Sequence, residues 1–459
     1  METAGNQGHE TKLAAEDVDR LEYDYREAMD YLVNLTKFGM NFGLGRIEEL
    51  LKRVGNPEQK LRVIHVGGTN GKGSTTMLIA GVLEEAGFKV GVFTSPHLQD
   101  YRERITINGE MIPKAEVSRL IHTVRPHLEE LVQSGVEHPT EFEVNTAMAF
   151  MYFAAQKVDF ALIEVGLGGA IDSTNVVTPL ISVITNVGMD HMDYLGETFG
   201  EIAKVKAGII KPSSITITAA NRPEALQVIR EKAQAVGSPL WVVGEDVHWE
   251  PRWSGEMEQE FDLVGLHGAY RKLHLRLVGE HQMVNAATAV AACEVLQSEY
   301  GVKIERHHIY EGLRKTVWPG RLEMLSLKPK ILLDGAHNVD GAMTLVKALE
   351  LFGRRRLILC LGMLGDKERE KVVELLYPLA DEVIITKPNS PRAGYWQYLA
   401  ELIEAKGKPV TRIEEPRAAV LEAYSRLQPE DMLCVTGSLY MIADARNALL
   451  EILLKNKES

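Results

Sequence analysis

The sequence predicts an α/β protein in two unequal parts: a P-loop N-terminal domain with a mainly parallel sheet plus a small antiparallel sheet, and a smaller Rossmann-like α/β C-terminal domain. Three observations predict it. An apolar run at 61–66 passes straight into Gly67-Gly68-Thr69-Asn70-Gly71-Lys72-Gly73-Ser74-Thr75-Thr76. Apolar strand-like runs then alternate with helical periodicity, and a second such series begins after Trp318-Pro319-Gly320.

In chain order, residues 1–20 are polar and read as a frayed terminus without the apolar core of a signal peptide. A helix is expected over 23–33, then a loop rich in glycine and aromatic residues, Phe38-Gly39-Met40-Asn41-Phe42-Gly43-Leu44-Gly45. Strands follow at 61–66, 89–93, 160–165, 181–187 and 215–219, with helices at 141–156 and 199–210. That alternation suits a parallel sheet covered on both faces. From 241 to 278 the pattern shortens, and 260–264 and 273–277 read as a small antiparallel sheet. The second series places strands at 330–333, 357–361, 382–386 and 432–436. Pro319 and Gly320 lie between two complete sheet patterns. The expected division is therefore 21–314, a hinge linker at 315–321, and 322–459.

A chain of 459 residues that is 45% hydrophobic can bury well-filled cores. Its formal net charge of −13 provides no basic field for nucleic acid or acidic lipid, so anionic ligands must be held by local groups. Cys293, Cys360 and Cys434 are far apart and each sits in an apolar stretch, as buried free thiols do. No apolar run approaches the roughly 20 residues that span a bilayer. We expect a cytoplasmic monomer that binds small molecules, with no nucleic-acid or membrane partner.

The glycine loop carries the first chemistry. Glycines let the backbone fold around an anion, the following helix N-terminus faces it, and Lys72 adds a point charge. The match to G-x-x-x-x-G-K-[ST] is incomplete. Val66 stands in place of the first glycine, and Gly73 fills the slot whose hydroxyl would meet Mg²⁺. Either Ser74 takes that role or the metal finds ligands elsewhere. A plain strand-to-helix turn has no need of a lysine where the dipole disfavours a cation.

Further clusters lie where open α/β sheets bind ligands, at strand ends. Thr94-Ser95-Pro96-His97 is followed by Tyr101-Arg102-Glu103-Arg104. Glu164 ends a buried strand before a glycine loop, where a lone carboxylate needs a metal or a cation. His191, in Asn186-Val187-Gly188-Met189-Asp190-His191-Met192-Asp193 directly after a strand, suits a metal ligand or a capping histidine equally. Lys206 sits among apolar neighbours, and composition favours a snorkelling surface lysine.

Together with Asp172-Ser173-Thr174-Asn175, Lys206-Ala207-Gly208, Gly279-Glu280-His281-Gln282-Met283-Val284-Asn285-Ala286, Trp318-Pro319-Gly320-Arg321-Leu322-Glu323 and Asp334-Gly335-Ala336-His337-Asn338, these motifs resemble folylpolyglutamate synthases, including bifunctional dihydrofolate synthases, within the Mur ligase superfamily. The resemblance covers nearly the whole chain past Tyr23. It implies an ATP-binding central domain, a C-terminal glutamate ligase domain, and an enzyme that joins L-glutamate to a folate carboxylate through an acyl phosphate. ATP would lie on Gly68, Thr69, Asn70, Gly71, Lys72, Gly73 and Ser74, with Gln282 and Asn285 near adenine and Arg321 and Asp334 reaching phosphate and ribose from the second domain. It further implies Mg²⁺ at two sites, with Ser95 and Glu164 at one and His191 at the other, Lys206 as a carbamate, and room for a monovalent cation. His337 would stand near the reaction centre, giving Lys72, Lys206 and His337 as the catalytic set. Arg104, Asp172, Arg392 and Ser438 fall on the folate or glutamate side.

One departure stands out: Ala170 occupies a position where the family commonly has arginine, which bears on local folate contacts. Two other readings compete. Mur ligases with uridine-linked substrates carry a separate domain of roughly 100 residues before the loop, whereas 66 residues precede Gly67 here. A regulatory nucleotide-binding module would not need Arg321, Asp334 and His337. Arg321 could also be an interface ion pair, and dihydropteroate stays open as a second acceptor.

Overall fold

The structure is a computed structural model that describes residues 15–39 and 41–458. Eight strands form the main sheet: β1 (Val63–Gly67), β2 (Val90–Phe93), β3 (Ile105–Ile107), β4 (Glu110–Met111), β5 (Phe160–Glu164), β6 (Ile181–Ile184), β7 (Ile215–Thr218) and β8 (Leu240–Val242). Their order is β4-β3-β2-β5-β1-β6-β7-β8. Every pairing is parallel except β2 with β3 and β3 with β4. β1 lies at the switch point: the chain runs first to β2 and β5 on one side, then to β6 on the other, which opens a crevice at the carboxyl ends. The register sets Val66 opposite Glu164 and Gly67 opposite Ile184, so the glycine loop, the Glu164 loop and the segment after β6 leave the sheet at one level.

Both faces are covered. Helices Lys72–Glu85 and Glu280–Tyr300 pack Leu78, Val82, Ala287 and Val290 on one face, and helices Lys114–Gln133 and Glu141–Gln156 bury Leu120, Val144 and Phe150 on the other. Thr140 and Glu143 form a reciprocal cap at the start of the last of these. Three antiparallel strands, β9 (His248–Ser254), β10 (Gln259–Val264) and β11 (Ala269–Leu275), make the small sheet. After helix Arg306–Lys315 the second sheet begins: β12 (Glu323–Leu327), β13 (Lys330–Asp334), β14 (Leu357–Leu361), β15 (Glu382–Ile385), β16 (Val410–Arg412) and β17 (Met432–Thr436). Its order is β12-β13-β17-β14-β15-β16, antiparallel only at β12.

Several expectations need correcting. Trp241 belongs to β8 at the edge of the main sheet, so the small sheet starts later than 241. Gly45 opens helix Gly45–Arg53 rather than closing a loop. The helix expected over 199–210 becomes a 3₁₀ turn from Ala207. Strands β3, β4, β12 and β16 went unread because runs of two to five residues carry too little periodicity. The frayed terminus expected over 1–20 lies outside the described residues as far as 14, and a helix, Ala15–Leu35, starts after it. The cysteines are buried free thiols. Among the described residues no helix is long and apolar enough to cross a membrane.

Candidate active site

The glycine loop is held by the strand beside it. Thr185 donates its hydroxyl to the Asn70 carbonyl at 2.6 Å, and Asn186 Oδ1 accepts the Asn70 N–H at 2.8 Å and the Thr69 N–H at 3.2 Å. Gly68, at φ 142°, has no room for more: a Cβ there would lie 1.9 Å from Thr185 Oγ1. Thr185 was not singled out from sequence, and Asn186 was read only as the first residue of the segment 186–193. Helix Lys72–Glu85 starts behind left-handed Gly71 with no side-chain cap, which leaves its first-turn amides for an anion. Lys72 Nζ turns back onto the Gly68 and Thr69 carbonyls at 3.3 and 3.1 Å. Burial lowers its pKa, and Glu164 and Asp190 pull it back up.

Tertiary packing accounts for Gly73. A Cβ there would lie 2.9 Å from Trp318 Nε1, so the slot after the lysine is closed by an indole from the inter-domain segment. Gly73→Ser therefore does not restore a metal ligand. It overpacks the Trp318 contact, and we expect a cost of about 1–3 kcal/mol, read as a lower midpoint of thermal unfolding.

Glu164 is 5% exposed, and its Oε2 accepts the Ser95 N–H at 3.2 Å. Burial raises its pKa against the pull of the Lys72 charge. Lys206 is 3% exposed and donates to the Gly68 carbonyl at 3.0 Å. A snorkelling lysine would keep its tip in water, so that reading fails here. Burial, then the Lys72 charge, push its pKa down to about 7. His191 occupies the N-cap of the short helix Met192–Leu195, yet its side chain makes no capping bond and lines the cleft instead. Burial draws its pKa down to about 4. Among the described residues no three His, Cys, Asp or Glu side chains are grouped to hold a metal.

The second half closes over this surface. Arg321 lines the cleft and forms no salt bridge among the described residues, which removes the interface-ion-pair alternative. Asp334 accepts the Leu322 and Ala336 N–H groups, each at 2.9 Å, and so braces the segments that carry Arg321 and His337. His337 Nδ1 meets the Gly335 carbonyl at 2.8 Å and Nε2 lies 3.7 Å from Asp190 Oδ2. Asn338 donates to Asn70 at 3.1 Å and to Asp190 at 3.2 Å, joining the two halves. Lys367 completes the junction, with Nζ 2.7 Å from Asp190 Oδ1 and the two side chains only 6% and 11% exposed. Burial works to raise the Asp190 pKa, but the His337 hydrogen bond and the Lys367 charge hold the carboxyl far below its usual range. Lys367 was not legible in sequence, where Gly365-Asp366-Lys367-Glu368 looks like any charged surface loop.

These groups enclose one cleft of about 490 Å³ whose wall holds residues from Gly68 to Ser74, Ser95, Glu164, His191, Lys206, Gln282, Asn285, Arg321, Asp334 and His337. Asn285 donates to Gln282 at 2.9 Å and packs against Gly71. The four folate- or glutamate-side candidates do not line it. Arg104 bonds His97 Nδ1 at 2.9 Å, Asp172 faces its own loop, Arg392 pairs with Asp366, and Ser438 Oγ accepts the Tyr440 N–H at 3.3 Å.

Comparison with known proteins matches a family model to each half of the chain. Residues 66–293 match the Mur ligase middle domain and 320–439 the Mur ligase glutamate ligase domain. A Bacillus subtilis dihydrofolate synthase/folylpolyglutamate synthase is 39% identical over 93% of this chain and 99% of its own. The chain belongs to the folylpolyglutamate/dihydrofolate synthase family of Mur ligases. Solved members of that family share its fold. Thermotoga maritima folylpolyglutamate synthase superposes with a TM-score of 0.82 at 37% identity, covering 94% of this chain and 97% of its own. The Mycobacterium tuberculosis enzyme complexed with ADP gives 0.87 at 30% identity, covering 93% and 98%.

Proposed function

We propose that this family member is an ATP-dependent ligase that adds L-glutamate to the γ-carboxylate of a folate, making folylpolyglutamates, and that dihydropteroate is tested beside it as a second acceptor. The observation that carries this reading is a single cleft in which Lys72 and the loop amides of one half face Arg321 and His337 of the other. ATP binding alone would need only the first set. In the reaction, the substrate carboxylate attacks the γ-phosphorus and ADP leaves. The glutamate amine then attacks the acyl carbon, loses a proton and expels phosphate. Lys72 and the uncapped helix N-terminus offset charge on the transferring phosphoryl group, and Arg321 meets it from the second half. His337, whose two ring nitrogens face the Gly335 carbonyl and Asp190, is positioned at the cleft wall beside the reacting groups.

The residues fit magnesium. Glu164 and the Ser95 hydroxyl are hard oxygen donors, and a buried carboxylate with one hydrogen bond calls for a cation. The ion would neutralise phosphate charge. Lys206 fits a carbamate, because an amine with a pKa near 7 has a neutral fraction able to take up CO₂; that anion and His191 are candidates for a second Mg²⁺. The segment 315–321 is the hinge in this reading, and residues 21–314 and 322–459 are the bodies it joins. The test is phosphate release with ATP alone, with folate plus glutamate, and with dihydropteroate plus glutamate. Release that ignores the acceptors would leave only a nucleotide hydrolase.

Closure across the hinge gives a prediction of its own. Arg321→Ala should raise the KM for ATP and lower kcat while leaving the unfolding midpoint unchanged, because Arg321, which lines the cleft, forms no ion pair among the described residues. Unaltered ATP kinetics would remove Arg321 from the phosphate site.

A further inference from the structure

A chain of buried hydrogen bonds runs behind the cleft, and the reaction steps do not use it. His65, in the middle of β1, and Thr174 are both 0% exposed, and Asp172 is 5% exposed. His65 Nε2 lies 2.8 Å from Thr174 Oγ1, which lies 2.5 Å from Asp172 Oδ1. Asp172 also accepts the Thr174 N–H at 3.0 Å and the Leu167 N–H at 2.7 Å. The direction of the chain follows. Two backbone donors converge on Asp172, so its carboxylate is the acceptor and the Thr174 hydroxyl donates to it. That hydroxyl must then accept from His65, which fixes the proton on Nε2. His65 Nδ1 is left bare, and it has no partner among the described residues.

The far end of the chain touches the site. Leu167 belongs to the glycine loop that leaves β5 just after Glu164, and Gly166, Leu167 and Gly168 line the cleft. At Gly169 the same loop lies flat on the end of helix Phe199–Lys206, where a Cβ would come within 2.7 Å of the Val205 and Lys206 carbonyl oxygens. The next residue, Ala170, donates its N–H to Val205 at 2.8 Å. With no space between them, a shift of the loop moves the Lys206 backbone.

We propose that His65 and Thr174 are positioning residues: acting through Asp172, they fix the 166–169 loop and so set where Lys206 stands beneath the phosphate loop. The proposal rests on the ligase reading for its kinetic test only. Thr174→Val keeps shape and removes the hydroxyl, whereas Thr174→Ser keeps it. We expect Thr174→Val to lower kcat by about 10- to 100-fold with the KM for ATP within about twofold of the parent, as loss of an orienting partner behind a site does, and Thr174→Ser to restore turnover. A valine variant that turns over normally, or a serine variant that loses as much as valine, overturns the proposal. So does a valine variant that loses kcat only in step with a collapse of its unfolding midpoint, since that is the mark of a purely structural bond.

The second readout needs no activity. In ¹⁵N NMR of histidine-labelled protein, assigned by loss of its signal in His65→Gln, His65 should be neutral with the proton on Nε2. A ring protonated on Nδ1, or charged at neutral pH, overturns the relay. If the parent protein releases no folate-dependent phosphate, the ligase reading fails by itself, and the NMR spectrum decides the relay.

Discussion

Lys72→Ala is expected to lower ligase turnover by more than about 100-fold, the scale on which a positioned charge at a developing oxyanion acts. Geometry makes the loss severe. Lys72 Nζ rests on the Gly68 and Thr69 carbonyls, so it is already placed before phosphate arrives, and burial weakens the competition from water. In the proposed site, alanine would leave the loop amides and Arg321 for phosphate but would remove this charge at the loop. The fold should survive, because the loop is braced by Thr185 and Asn186 rather than by the lysine. The measurement is steady-state phosphate release at saturating ATP, with circular dichroism to check folding. Near-normal turnover would falsify the phosphate-loop assignment.

The second large effect is at Lys206. Burial and the Lys72 charge hold its pKa near 7, so the neutral amine is present at working pH. In the proposed carbamate that amine nitrogen would be joined to CO₂ with loss of a proton, placing an anion beside the phosphate loop. Neither alanine, which lacks the oxygens, nor arginine, which keeps the wrong sign, can stand in for it. Both Lys206→Ala and Lys206→Arg should abolish activity with little change in folding, and a short carboxylic acid should partly rescue the alanine variant. The pH dependence has a fixed sign. The reactive amine grows as pH rises through about 7, so ¹³CO₂ incorporation read by carbon NMR should be greater on the alkaline side. An active arginine variant, or turnover without a ¹³C carbamate signal, would return Lys206 to an ordinary buried amine.

Local chemistry was legible because it is written in short contiguous stretches. The passage from β1 through Gly67-Gly68 to Lys72 declares an anion cradle without any partner, since backbone amides and one lysine suffice. Glu164 could be read because a carboxylate closing an apolar strand is costly wherever the strand packs. The long strands of both sheets announced themselves by periodicity, and the Pro-Gly break between two complete patterns fell where helix Arg306–Lys315 ends and before β12.

What the sequence by itself determined about this protein is the set of its chemical parts and their order: a phosphate loop, strand-end carboxylate and histidines, and a second α/β unit carrying an arginine and a histidine. The tertiary structure alone decided which of these parts meet. Burial of Lys206 depends on a loop that starts some forty residues earlier in the chain. The Gly73 slot is closed by Trp318, and Asp190 finds Lys367 across the domain boundary. Arg104, Asp172, Arg392 and Ser438 share residue types with ligand contacts, and packing places them outside the wall of this cleft, each bonded to its own neighbours. Hydrogen bonding and desolvation are properties of a position in space, and residues far apart in sequence acquire that position only when the sheets and helices pack.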